Sequence, residues 1–209
     1  MLKKHSIAIG IILGMSFLLV STLFYPGGSQ HDEMSLGFSW QHNYLCNLLG
    51  PIAVNGQENG ARPWAVAGLL VLCATAALFF VRFSQKIPVK SASNVIKFAG
   101  VGAMSAALLT ATPYHYLAVT ASGTLLMLTL FYITVLVFRS KLHGFKALAG
   151  VCLIAIYAST FVYFTQIYLA FLPLLQKASL VLNIALILGL EYFSKTEDFI
   201  AGASKVAVQ

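Results

Sequence analysis

Apolar residues run along this chain in six long blocks, and the one substantial polar interval, His31 to Arg62, lies between the first block and the second. The blocks are Ile7 to Tyr25, Trp64 to Phe83, Val95 to Thr112, His115 to Phe138, Phe145 to Thr165 and Phe171 to Phe193. Each is close to the roughly 20 residues that carry a helix across the hydrocarbon layer of a bilayer. The pattern predicts an all-α integral membrane protein, a six-transmembrane-helix bundle forming a single domain over residues 1–209. Residues 26–63 form an outer loop or lid within that domain.

Composition supports the same class. The chain is 59% hydrophobic and 9% charged, whereas a soluble domain devotes about a quarter of its residues to charge. The basic residues cluster at alternate ends of the blocks. Lys3 and Lys4 precede the first, Arg82, Lys86, Lys90 and Lys97 flank the connection after the second, Arg139, Lys141 and Lys146 that after the fourth, and Lys195 and Lys205 follow the sixth. The opposite connections hold only Arg62 among basic residues. The positive-inside rule therefore places both termini in the cytoplasm and the polar interval outside, in a multi-pass protein of the plasma membrane, of the prokaryotic inner or cytoplasmic type. The net charge of +7 is then a topology signal. It lacks the dense patch on a soluble domain that a nucleic-acid partner needs. The first block is long for a signal peptide, and Leu23, Phe24 and Tyr25 offer no small-residue cleavage site, so it is expected to stay as a helix.

Small residues mark the helix contacts, because membrane helices associate through close van der Waals approach. Ser6, Gly10 and Gly14 form one stripe, and Ala99, Ala103, Ala107 and Ala111 another. Both are expected to pack within the bundle, although such a stripe also serves a homo-oligomer. Thr112-Pro113-Tyr114 leaves only a tight turn between the third and fourth helices, and brings His115 to the outer interface. Cys73 and Cys152 fall inside spans as small packing residues, while Cys46 stands in the loop.

In the loop, Ser39 is placed to cap a helix running to Leu49, which Gly50-Pro51 would stop. In helical projection Trp40, Tyr44, Leu45, Leu48 and Leu49 make an apolar arc, with His42, Asn43, Cys46 and Asn47 on the other side. The expected element is a short amphipathic helix lying over the bundle. Arg62 and Trp64 set the depth of the returning helix, and Arg62 can also meet a lipid phosphate. Tyr25-Pro26-Gly27, Asn43-Tyr44-Leu45-Cys46-Asn47-Leu48 and His115-Tyr116-Leu117-Ala118 resemble segments of the domain-of-unknown-function 998 family of small multi-helix membrane proteins. The arrangement is also similar to the wider Frag1/DRAM/Sfk1 group. The resemblance implies six helices and an important first outer loop, and no settled activity. Where that family commonly carries Ser-Asp, this chain has Cys46-Asn47, which puts in doubt any chemistry needing the carboxylate.

Two candidate sites follow from the residues. His31, Asp32, Glu33, His42, Cys46 and His115 are expected near the outer end, where histidines and carboxylates can activate water or hold zinc. His31, His42, Cys46 and His115 are the candidate metal ligands; His42, His115, Asp32 and Glu33 are the candidate catalytic groups. No tight metal-binding spacing, nucleophile elbow or phosphate loop accompanies them, and no cofactor is called for, zinc being the alternative. The second site gathers His115, Gln176 and Lys177 around the polar group of an amphiphile, with Ser179 and Asn183 on a neighbouring face, Gln166 on the preceding helix, and Arg62 and Trp40 at the interface. Proton-coupled transport is disfavoured because no acidic residue sits near mid-span. The preferred function is the binding or handling of a lipid-like or amphipathic molecule at the outer leaflet, with membrane lipids as partners. The alternatives are an accessory subunit of a larger membrane complex, with a membrane-protein partner, and a metal- or histidine-dependent membrane hydrolase.

Overall fold

A computed structural model describes residues 2–203, with side chains for residues 5–200. Lys205 and the side chains of Lys3 and Lys4, which enter the charge argument, lie outside the described residues. The helices are α1 (Leu2–Leu23), α2 (Arg62–Gln85), α3 (Lys90–Leu108), α4 (His115–Arg139), α5 (His143–Thr165), α6 (Leu172–Phe193) and the short α7 (Glu197–Ala203). Six of them are long and apolar enough to cross a membrane, as the blocks predicted. Arg62, with Pro63 in the first turn where its missing N–H costs nothing, starts α2 two residues before Trp64. Lys90 starts α3 well before Val95.

Chain neighbours pack in order, α1 on α2 through to α5 on α6, and α6 returns to touch α1 and α2. The result is an up-and-down bundle with an elaborated loop end and an opposite end that carries the short connections after α2 and α4, and α7. The small-residue stripe of α1 is consumed inside it. A Cβ on Gly10 would collide with Thr75 of α2, and one on Gly14 would lie 2.6 Å from Leu72 Cγ. On α3, Ala99 and Ala103 are buried, and a Cβ on Gly100 would come within 2.5 Å of the Phe80 ring.

The core divides in two. Towards the terminal end, Phe79, Phe80 and Phe83 of α2 pack with Ile96, Ile133, Val137, Leu186 and Leu190. Phe199 of α7, an element the hydrophobic blocks do not announce, closes this core edge-on against Phe83. Arg82 pairs with Glu191 at 3.0 Å. Lys86 donates to the carbonyls of Leu190 and Glu191 at 3.1 and 2.9 Å, supplying cations where the end of α6 leaves carbonyls without partners. Burial pulls the Lys86 ammonium below its ordinary pKa, and Glu191 pulls the other way. The second core, at the loop end, joins Leu18 and Ala65 of the bundle to Tyr25, Leu48, Leu49, Ala53 and Ala61 of the loop.

Close approach at Gly14 gives a direct test. Gly14→Ala forces a methyl against Leu72 and should cost about 1–3 kcal/mol of stability. Gly144→Ala meets open space and should be neutral or stabilising by up to about 1 kcal/mol. Unfolding in detergent micelles measures both, and equal stability of the two variants would contradict the packing described.

Candidate functional site

The loop is built around buried asparagines rather than around an amphipathic helix. Ser39 to Leu49 forms a turn over Trp40 to His42 and then a single 3₁₀ turn, Leu45–Leu48, in place of the expected continuous helix. The cause is competition for backbone groups by short polar side chains. Ser39 Oγ accepts the His42 amide at 3.2 Å, and Asn47 Oδ1 accepts that of Tyr44 at 2.7 Å, each closing a local turn. Asn43, assigned by helical projection to the polar side, is fully buried. Its Oδ1 accepts the Ser39 amide at 2.8 Å and its Nδ2 donates to the Gly28 carbonyl at 2.7 Å, tying the turn to the exit from α1. That exit needs glycine: Gly27 and Gly28 have φ of 146° and 82°. Asn59 similarly donates to the carbonyls of Asn47 and Gly50 and accepts from Ala61. Of the projected apolar arc, Leu48 and Leu49 are buried while Trp40 stays 48% exposed, edge-on to Phe38.

Two adjacent side chains of α6 hold this loop on the bundle. Gln176 Oε1 accepts the Leu45 amide at 2.9 Å. Lys177 Nζ donates to the Asn43 carbonyl at 2.6 Å and to the Pro173 carbonyl at 3.0 Å, with the Phe38 ring 5.7 Å away. Lys177 thus spends its ammonium on backbone carbonyls of the loop and of its own helix, and is not part of the cavity wall described below. Arg62, which like Lys177 does not line the cavity, donates to the carbonyls of Leu49 and Ala111 at 3.2 and 3.4 Å, joining the loop to the turn between α3 and α4. Trp64 stacks on Phe24.

Beneath the loop the bundle forms a half-open cavity of about 650 Å³ bordered by all six long helices. Its walls are overwhelmingly apolar, with Leu18, Leu72, Phe79, Leu130, Leu186 and Ile187 among them. Tyr44, Leu45, Cys46 and Leu49 contribute the roof. Polar groups gather near that roof. Gln176 Nε2 lies 3.8 Å from Cys46 Sγ, His115 borders the same space, and Ser159 meets Ser179 at 3.2 Å. Asn183 lies a turn further down α6, its Nδ2 satisfied by the Ser179 carbonyl at 2.7 Å. Gln166 ends α5 in the left-handed conformation and also borders the cavity. Burial, with a smaller contribution from the neighbouring Cys46, raises the Tyr44 phenol above its ordinary pKa, so it remains a neutral donor.

The sequence-predicted outer cluster separates into two pairs. His115 and Cys46 both border the cavity. His31 and His42 stack on the outer surface with ring centres 4.7 Å apart. Asp32 is occupied in its own turn, accepting the Met34 amide at 2.9 Å, and Glu33 is exposed. Among the described residues no three His, Cys, Asp or Glu side chains come together as metal ligands. The separation follows from the loop's fold: the turn at Trp40 to His42 leaves His42 off the cavity wall while the 3₁₀ turn brings Cys46 to it. A cavity residue that sequence reasoning missed is Thr120. Its hydroxyl is buried without a partner in the protein, and the only sequence signal is a polar residue one turn from Tyr116 on an apolar helix. No family model, curated protein or solved structure matches the chain.

The Asn43 amide is the test of how the roof is built. Asn43→Ala removes its side-chain bonds and should cost about 1–3 kcal/mol locally. Hydrogen exchange at the Ser39 amide should then accelerate about tenfold or more, while amides in mid-α4 stay protected. Unchanged Ser39 exchange would contradict the network.

Proposed function

We propose that the bundle holds the hydrocarbon chain of a lipid-like molecule in its cavity, with the molecule's polar end under the loop. The observation that carries this reading is the cavity itself. At about 650 Å³ it falls within the range of small-molecule sites, roughly 300–1,000 Å³, which are mostly apolar with a few placed polar groups. It far exceeds the voids left by close packing. The distribution of polarity gives the ligand a direction: donors and acceptors at Tyr44, His115, Gln176 and Thr120 near the roof, and Phe79, Leu130, Leu186 and Ile187 beyond them. The ligand's polar group meets His115 and Gln176, while Lys177 acts indirectly by holding the Asn43 carbonyl.

The charge asymmetry of the connections orients the protein in this proposal, with both termini in the cytoplasm and the roof on the outer face of a plasma membrane. The ligand then comes from the outer leaflet. Gln57, exposed in the loop, supplies the check. Gln57→Cys in a Cys46→Ser background should react with a membrane-impermeant maleimide in intact cells, and labelling only after lysis would reverse the orientation.

Gly123 offers the sharpest test of occupancy. It borders the cavity, and a Cβ placed there meets nothing within 4 Å. Gly123→Phe should fill ligand space without disturbing the bundle. Native mass spectrometry in mild detergent is expected to show a retained lipid on the unmodified protein and at least a tenfold smaller lipid-bound fraction on Gly123→Phe. Equal retention by the two proteins, both folded, would place any bound lipid elsewhere.

A further inference from the structure

The cavity wall is polar in places but holds almost no charge. Among the described residues, no Asp, Glu, Lys or Arg borders it. Two cations of the loop end are committed elsewhere: Lys177 to the Asn43 and Pro173 carbonyls, and Arg62 to those of Leu49 and Ala111. His115 is the one wall group able to carry a positive charge. Its Nδ1 lies 2.7 Å from the Thr110 carbonyl, which only accepts, so that N–H is already used. In either protonation state the ring has only Nε2 left for a ligand. The neutral groups of the wall are of both hydrogen-bonding kinds. Ser122 and Thr124 donate to carbonyls of their own helix at 3.2 and 2.9 Å and keep oxygen lone pairs free to accept. Ser159 donates to the Ala155 carbonyl at 2.8 Å, so the hydrogen between Ser159 and Ser179 belongs to Ser179, and both oxygens remain acceptors. Donors come from the roof. The Gln176 oxygen is taken by the Leu45 amide, which leaves its NH₂ group with only the Cys46 sulfur, 3.8 Å away. Burial keeps the Tyr44 phenol protonated.

We infer that the site selects an uncharged amphiphile whose head carries hydroxyl groups, a long-chain alcohol or a monoacylglycerol, over one with a carboxylate, phosphate or ammonium head. The inference rests on the chain-binding reading above and names the ligand class of that same site. A hydroxyl both donates and accepts, so it is satisfied by the serine and threonine oxygens and by the Gln176 amide alike. A carboxylate or phosphate only accepts. Against Ser122, Thr124, Ser159 and Ser179 it would set lone pair to lone pair, and it would bring its charge into an apolar cavity that has no lysine or arginine to receive it. Lys177, whose ammonium would match an anion, is held on backbone carbonyls instead. An ammonium head finds acceptors on this wall but no carboxylate, and so meets the same cost of an unpaired buried charge. The discrimination is thus built from what the wall lacks as much as from what it holds.

Binding of tritiated oleyl alcohol to the folded protein in micelles, at about pH 8 where free carboxylates are ionised, tests the inference by competition. The competitors share one chain and differ in the head: oleyl alcohol, monooleoylglycerol, oleate, oleyl phosphate and oleylammonium, compared at equal mole fraction in the micelle. The alcohol and the monoacylglycerol should displace the probe at mole fractions within about threefold of each other, and each charged head should need about tenfold more, or beyond. Gln176→Glu keeps an oxygen for the Leu45 amide and puts a negative charge on the wall. It should improve oleylammonium about fivefold or more relative to the alcohol. Oleate or oleyl phosphate competing as well as the alcohol overturns the inference, and so does an unchanged ratio of ammonium to alcohol in folded Gln176→Glu. The comparison of heads uses the unmodified protein, so it stands even if the variant fails to fold. The two readings fail differently. Saturable binding without preference among heads refutes the ligand class and leaves the cavity as a chain site, whereas absence of saturable binding for every probe refutes the chain site itself.

Discussion

The loop end depends on one constraint: backbone that leaves regular structure beside an apolar bundle must still find hydrogen-bond partners. Residues 43–47 sit where water is scarce and no long helix continues to satisfy them. Gln176 and Lys177, consecutive on α6, meet that demand by taking the Leu45 amide and the Asn43 carbonyl. Asn43 and Asn59 meet it from inside the loop. These bonds fix the height of the 3₁₀ turn, and the height of that turn places Cys46, Leu45 and Tyr44 over the cavity. The roof is therefore positioned by polar satisfaction and merely sealed by the burial of Leu48 and Leu49.

Below it, the way the helices fill space explains why there is a cavity at all. Where α2 meets α1 and α3, glycines allow contact so close that an added methyl would collide with Thr75, Leu72 or Phe80. Three phenylalanines of α2 then fill the terminal half of the interior. Nearer the loop several inward positions of α4 and α5 are small or hydroxylated, with Gly123, Ser122, Ser159 and Thr160 lining the cavity. The same bundle is thus dense at one end and hollow at the other. Small residues produce both outcomes, by admitting a neighbouring helix in one place and leaving room beside it in the other.

The six helices were legible because hydrophobic block length is a direct consequence of bilayer thickness, and the α1 stripe was legible because only small residues permit such an approach. The loop was misread for a physical reason. Over eleven residues a helical projection weighs side-chain polarity alone, whereas Ser39, Asn43 and Asn47 use their side chains to capture backbone groups. That turned Asn43 from an expected surface residue into the loop's buried centre. Lys177 shows the complementary failure. Its depth in α6 is readable, but its partner is a carbonyl 134 positions away in sequence, and a main-chain oxygen leaves no mark in the sequence. That His115 and Cys46 border one cavity was within the range of groupings the residues allowed. Their separation from His31 and His42 was set by the turn between them.

The central claim is that a hydrocarbon chain lies inside the bundle rather than only against its outer surface. Photo-crosslinking with a lipid carrying a diazirine on its acyl chain, followed by peptide mapping, addresses this directly. Cavity residues Phe79, Leu130 and Ile187 should be labelled at a stoichiometry that saturates with lipid concentration. Outward residues Ile12, Phe98, Ile154 and Phe193 should label without saturating. Labelling confined to the outward residues at every lipid concentration would contradict the account.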